Sequence, residues 1–101
     1  MTFFDELEFV DHTSISNAVV ARYQFENGYA LSIVAMKTGD DFALHGNVTE
    51  GEYEVALIDK NGNIHGSVLG WRDVRTINEL ASCVSVGDLS HFNLWDWWDD
   101  L

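Results

Sequence analysis

The sequence has few basic residues, one cysteine, no basic start and no long apolar run, and each shortage excludes a class of function. Five Lys and Arg stand against 17 Asp and Glu in 101 residues, a formal charge of −12. Nucleic acid and anionic membrane surfaces carry dense negative charge and repel such a chain, so direct phosphate binding is disfavoured. The single cysteine, Cys83, closes no internal disulfide, so the fold does not depend on an oxidising compartment and a cytoplasmic setting is expected. The opening Met1-Thr2-Phe3-Phe4-Asp5-Glu6 is unlike a secretory signal, and no stretch approaches the roughly 18 apolar residues of a membrane span. Without secretion, the glycosylation-type triplet Asn47-Val48-Thr49 reads as an ordinary polar loop.

Catalytic signatures are equally scarce. Nucleophile elbows, phosphate-binding glycine loops and dinucleotide fingerprints are absent from the sequence. His12, His45, His65 and His91 lie in separate segments, with no spacing that matches a zinc motif. Asp40-Asp41 lacks the Asp-x-Asp-x-Asp-Gly pattern of a calcium loop, and Cys83 reads as a small residue at the edge of an apolar face. The expectation is a non-enzymatic protein with no cofactor and no metal.

What is present supports a folded domain. Hydrophobic residues make up 47% of the chain and aromatic ones 13%, enough to bury one modest core in spite of the charge. Two Asn-Gly pairs, Asn27-Gly28 and Asn61-Gly62, each lie between β-branched and aromatic residues and read as hairpin turns. Residues directly opposite in a hairpin share a face, so parity fixes register. At the first turn a three-residue loop of Glu26, Asn27 and Gly28 pairs Phe25 with Tyr29, Tyr23 with Leu31 and Ala21 with Ile33, with Gly28 left-handed; a two-residue turn mixes the faces. At the second, a two-residue turn of Asn61-Gly62 sets Val55 against Val68, Leu57 against Gly66 and Asp59 against Ile64.

Leu7 and Phe9 alternate with Glu6 and Glu8 as in a first strand, whereas Thr38 to Gly51 reads as a long loop. Val74, Ile77, Leu80, Ala81 and Val84 recur at helical spacing, with Asp73 to cap the start and Gly87 to end the helix. Strands are therefore expected at about 6–11, 18–26, 29–38, 52–59 and 64–69 and a helix at about 73–86. The fold class is α+β: an antiparallel sheet of four to five strands built from two hairpins, one C-terminal helix on one face, and an acidic-aromatic tail. Residues 1–87 form the domain and 88–101 the tail.

The segments Phe25-Glu26-Asn27-Gly28-Tyr29 to Val34, Glu52-Tyr53-Glu54-Val55-Ala56-Leu57, and Val68-Leu69-Gly70 before a helix resemble a group of small uncharacterised acidic tailed-phage proteins. Those proteins carry an F-x-N-G-Y-x-x-S-V-V hairpin, a Y-E-x-A-V-L strand and a V-x-G-x-L segment leading into an acidic helix. The resemblance spans roughly residues 7–86 and implies origin and fold, with no activity attached. The loop at 39–51 and the chain from Asp88 onward depart from it, which marks them as places for specific function.

Two acidic groups stand out. Glu50, Glu52 and Glu54 alternate on one side of an expected strand about 6.5–7 Å apart, close to two base-pair rises of DNA. A row of carboxylates at that spacing can imitate phosphates, or be no more than a solvated strand face. The tail Asn93-Leu94-Trp95-Asp96-Trp97-Trp98-Asp99-Asp100-Leu101 interleaves three tryptophans with three aspartates. Trp95, Trp97 and Trp98 either complete a small core or offer contact area and cation–π attraction to Arg or Lys, while Asp96, Asp99 and Asp100 pair with basic groups. These nine residues are the expected contacts with the basic surface of a host nucleic-acid-binding protein, which the chain would inhibit by DNA mimicry, as anti-restriction and anti-CRISPR proteins do. The alternative is a phage structural or assembly protein that self-associates through the tail, with a homodimer as the expected form.

Overall fold

The computed structural model describes residues 2–38, 44 and 46–92. The tail at 93–101, with Trp95, Asp96, Trp97, Trp98, Asp99 and Asp100, lies outside them, as do Asp40, Asp41 and His45.

Five strands follow in chain order: β1 (Val10–Asp11), β2 (Ala18–Gln24), β3 (Ala30–Met36), β4 (Glu52–Ile58) and β5 (Ile64–Asp73). Each pairs antiparallel with the next, so the sheet is a meander. One α-helix, α1 (Val74–Ser85), follows β5 without a linker. The class is α+β.

Alternation along β2, β3 and β4 sorts side chains onto two faces. Ala21, Ile33, Val55 and Leu69 lie opposite one another across four strands, and all four are buried. Onto this row α1 lays Ile77, Leu80, Ala81 and Val84, one helical stripe, with Ile77 and Val84 fully buried. Burying each of the larger side chains contributes about 1.5–3 kcal/mol, enough to hold a helix of 12 residues that would be marginal alone. Asp73 caps the helix by accepting the Thr76 N–H at 2.8 Å. The other end closes in a Schellman motif: Gly87, at φ +83°, donates to the Val84 carbonyl at 3.0 Å and Asp88 donates to Cys83 at 2.9 Å.

The first turn is a three-residue loop: Phe25 donates to Tyr29 at 2.7 Å and Gly28 has φ +95°. Tyr23 faces Leu31 and Ala21 faces Ile33. Asn27 also reaches out of the turn, donating from Nδ2 to the Val84 carbonyl at 2.7 Å, so the hairpin is bonded to the last turn of α1.

The second hairpin differs from its expected register. Asp59 donates to the Asn63 carbonyl at 2.8 Å across a three-residue loop, Ile58 faces Ile64, Leu57 faces His65 and Val55 faces Leu69. The ladder shifts between Leu57 and Val55 and again between Val55 and Tyr53. Gly66 (φ +73°) and Trp71 (φ +55°) lie within these two irregular stretches of β5. Each bulge inserts residues on one strand only, so β5 bends and its pairing drifts from any uniform register.

Residues 6–11 do not form the expected first strand. A 3₁₀ turn at Phe4–Glu6 leads to an extended run, and only Val10–Asp11 join the sheet. The alternation of Leu7 and Phe9 serves packing on the buried side instead. Phe3 lies 5.0 Å from Tyr23 and Phe4 5.1 Å from Tyr53, centroid to centroid, and the Phe4 N–H is held by Asn78 of α1 at 2.8 Å. The core therefore has two covers side by side, α1 and an aromatic N-terminal segment.

Past Gly87 the chain re-enters the core, beyond the expected domain boundary at 87. A 3₁₀ turn at Ser90–Phe92 buries Phe92 almost completely against β5. A Cβ built on Gly66 would stand 2.0 Å from the Phe92 carbonyl oxygen, so only glycine permits this approach. Asn47, in the expected polar loop, is buried: its Oδ1 accepts from Thr49 N–H at 2.9 Å and from the Thr49 hydroxyl, and its Nδ2 donates to the Thr38 carbonyl. Folded in this way, the triplet has no side-chain amide free for a glycan.

A candidate acidic docking groove

The end of β5 carries the site. Where the bulged strand turns into α1, a groove of about 520 Å³ opens between β4, β5, α1 and the final 3₁₀ turn. Glu52, Asp73 and Glu79 contribute carboxylates to its lining, Trp71 an indole, Arg72 a guanidinium and His91 an imidazole. Trp71 is 42% exposed in a left-handed backbone conformation that bulky residues seldom adopt.

Glu52 and Asp73 face each other directly across β4 and β5. Both add negative charge to the groove, with the Asp73 carboxylate turned onto the Thr76 N–H. Arg72 donates from its guanidinium to the Gly70 carbonyl at 3.2 Å. The Asp73 carboxyl is held below its ordinary value, first by the Thr76 N–H and then by the Thr76 hydroxyl, and so stays ionised. Glu79 forms a pair with Arg75 at 3.6 Å, solvated on both sides. The result is an open cleft that gathers three carboxylates, a guanidinium and an imidazole beside an aromatic lip.

The structure takes Glu50 out of the expected carboxylate row and keeps Glu52 and Glu54 on one face of β4. Glu50 is exposed on a 3₁₀ turn at Val48–Glu50, and Gly51, at φ +68°, breaks the chain between it and β4. Glu52 lines the groove. Glu54 is half-buried opposite Val34. The even spacing of 6.5–7 Å holds only inside a continuous strand, and Gly51 ends that strand one residue before Glu52.

Trp71, Asp73 and Glu79 were not legible as a site. Their sequence signal is a tryptophan two residues before a helix cap, off either apolar face, and it acquires meaning only once the bulge at Trp71 turns the strand. Among the described residues no helix is long and apolar enough to cross a membrane. Comparisons of the chain with protein-family models, with curated proteins and with solved structures find no match.

Proposed function

We propose that the protein is a non-enzymatic inhibitor of phage type that docks on a basic, nucleic-acid-binding surface of a host protein and occupies it in place of DNA. The observation that carries this reading is the opposed pair Glu52 and Asp73 in an open groove with Trp71 at its lip. The carboxylates of Glu52, Asp73 and Glu79 in one groove attract a cationic partner, while an exposed indole supplies stacking and cation–π contact. The charge of −12 adds long-range steering toward basic surfaces. Glu50 and Glu54 extend the acidic surface on either side, and Trp95, Asp96, Trp97, Trp98, Asp99 and Asp100 supply a second aromatic-acidic contact. The resemblance to small acidic tailed-phage proteins gives the setting: defence, replication and transcription proteins of a bacterial host.

The test is capture from host lysate on the immobilised full chain, a salt-gradient elution, and competition of the eluted protein between the chain and duplex DNA. Mutually exclusive binding is expected, with loss of capture in the Glu52→Gln, Asp73→Asn, Glu79→Gln triple variant. A partner that holds chain and DNA together, or that is retained equally at low and high salt, would refute the proposal.

A further inference from the structure

The one thiol of the chain lies on the last turn of α1, and the chain reverses just after it. Gly87 turns left-handed, Asp88 donates to the Cys83 carbonyl at 2.9 Å, and residues 88–91 fold back toward position 83. As a consequence the Cys83 sulfur, an Asp88 carboxylate oxygen and a His91 ring nitrogen all lie within 4.8 Å of one another. The spacing Cys-x4-Asp-x2-His matches no common zinc motif, so only the Schellman turn reveals the group.

We propose that Cys83, Asp88 and His91 form a Zn²⁺ site. Thiolate, imidazole and carboxylate are the three protein donors that zinc takes in tetrahedral sites, with a solvent molecule in the fourth position. Zinc bonds of about 2.0–2.3 Å place such donors roughly 3.3–3.7 Å apart, so the group closes by up to about 1.5 Å on binding. Asp88 and His91 are exposed and Cys83 is half-buried, and rotation of side chains can supply that movement. Asp88 is already oriented: its Oδ1 accepts from the Ser90 hydroxyl at 2.7 Å and the Ser90 N–H at 3.1 Å, the kind of outer contact that fixes a ligand. Sulfur and nitrogen donors select zinc over Ca²⁺ and Mg²⁺, which take oxygen. The C-terminal end of a 12-residue helix also favours a cation.

Zinc here would tie α1 to the segment that delivers Phe92 to the core beside Gly66. Its binding is therefore coupled to the docking of residues 88–92 and raises stability by mass action.

The experiment uses the reduced, metal-free full chain titrated with Co²⁺ as a spectroscopic stand-in. The expected result is one ion per chain, a thiolate-to-cobalt charge-transfer band in the near ultraviolet, visible bands of four-coordinate intensity, and displacement of both by one equivalent of Zn²⁺. Because Cys83 is the only cysteine, the near-ultraviolet band reports this site alone and must vanish in Cys83→Ser. Asp88→Asn and His91→Ala should each weaken Zn²⁺ binding at least about tenfold with unchanged circular dichroism. Metal uptake without the thiolate band, or equal Zn²⁺ affinity in His91→Ala and the unaltered chain, overturns the site.

Discussion

Gly66 shows how much one residue without a side chain decides. Its φ of +73° alone would make alanine there cost about 1 kcal/mol. The Phe92 carbonyl at 2.0 Å from a built Cβ adds a clash with backbone, which no rotamer relieves. Gly66→Ala is therefore expected to undock Phe92 and lose about 2–4 kcal/mol of the stability measured by urea unfolding. Gly62→Ala is the control: its φ is +86° with open space around the Cβ, so it should lose only about 1 kcal/mol. Equal losses in the two variants would show that Phe92 does not hold the fold. The Asn-Gly turns were legible because asparagine and glycine are the residues that left-handed backbone admits. The second job of Asn27, its bond to Val84 across 57 positions, was not, since nothing near it in sequence records a partner so distant.

Among the elements, α1 was the most readable, and the reason is geometric: one face meets the sheet, so Ile77, Leu80, Ala81 and Val84 repeat at helical spacing. β5 was the least readable. Its hairpin loop is one residue longer than the two-residue Asn61-Gly62 turn, so parity fails from the first pair, Ile58 opposite Ile64, and the bulges at Gly66 and Trp71 shift the register again. The N-terminal alternation misled for another cause, because Leu7 and Phe9 pack on the inner side next to α1 rather than along an edge. The cap of α1 gives a pH prediction. A carboxyl whose folded value lies below its unfolded one stabilises the protein fully above the unfolded value, and that contribution is lost as pH falls through the folded value. Asp73 is such a group, set below 3.8 by its bonds to Thr76. Asn accepts the same bond without a charge, so Asp73→Asn should leave the neutral-pH melting midpoint nearly unchanged and flatten its decline below about pH 4. Asp5 and Asp88 are lowered in the same way, by Thr2 and Ser90, so a residual slope from them is expected. A chain stopped after Gly87 lacks Phe92 in the core and should be less stable by about 3–5 kcal/mol than one stopped after Phe92, as measured by urea unfolding. A self-association role for the tail is thus tested only by the second truncation, compared with the full chain by light scattering.

At the scale of the whole molecule the charge acts twice, with opposite signs. Seventeen acidic groups against five basic ones repel one another in the compact state, and the ion pairs Lys37–Asp11 and Arg75–Glu79 are solvated and offset little of it. Added salt screens that repulsion: between about 0.1 M and about 1 M the Debye length falls from about 10 Å to about 3 Å. Raising sodium chloride over this range should therefore raise the melting midpoint of the isolated chain. The same screening removes the attraction between the acidic groove and a basic partner, so affinity should fall over that range, chiefly through slower association. The two slopes have one origin, and neutralising Glu52, Asp73 and Glu79 should reduce both together. A variant that loses the salt dependence of binding while keeping that of melting would place the contact elsewhere on the acidic surface. Binding that strengthens with salt would mean that apolar burial, and not charge, joins the two proteins.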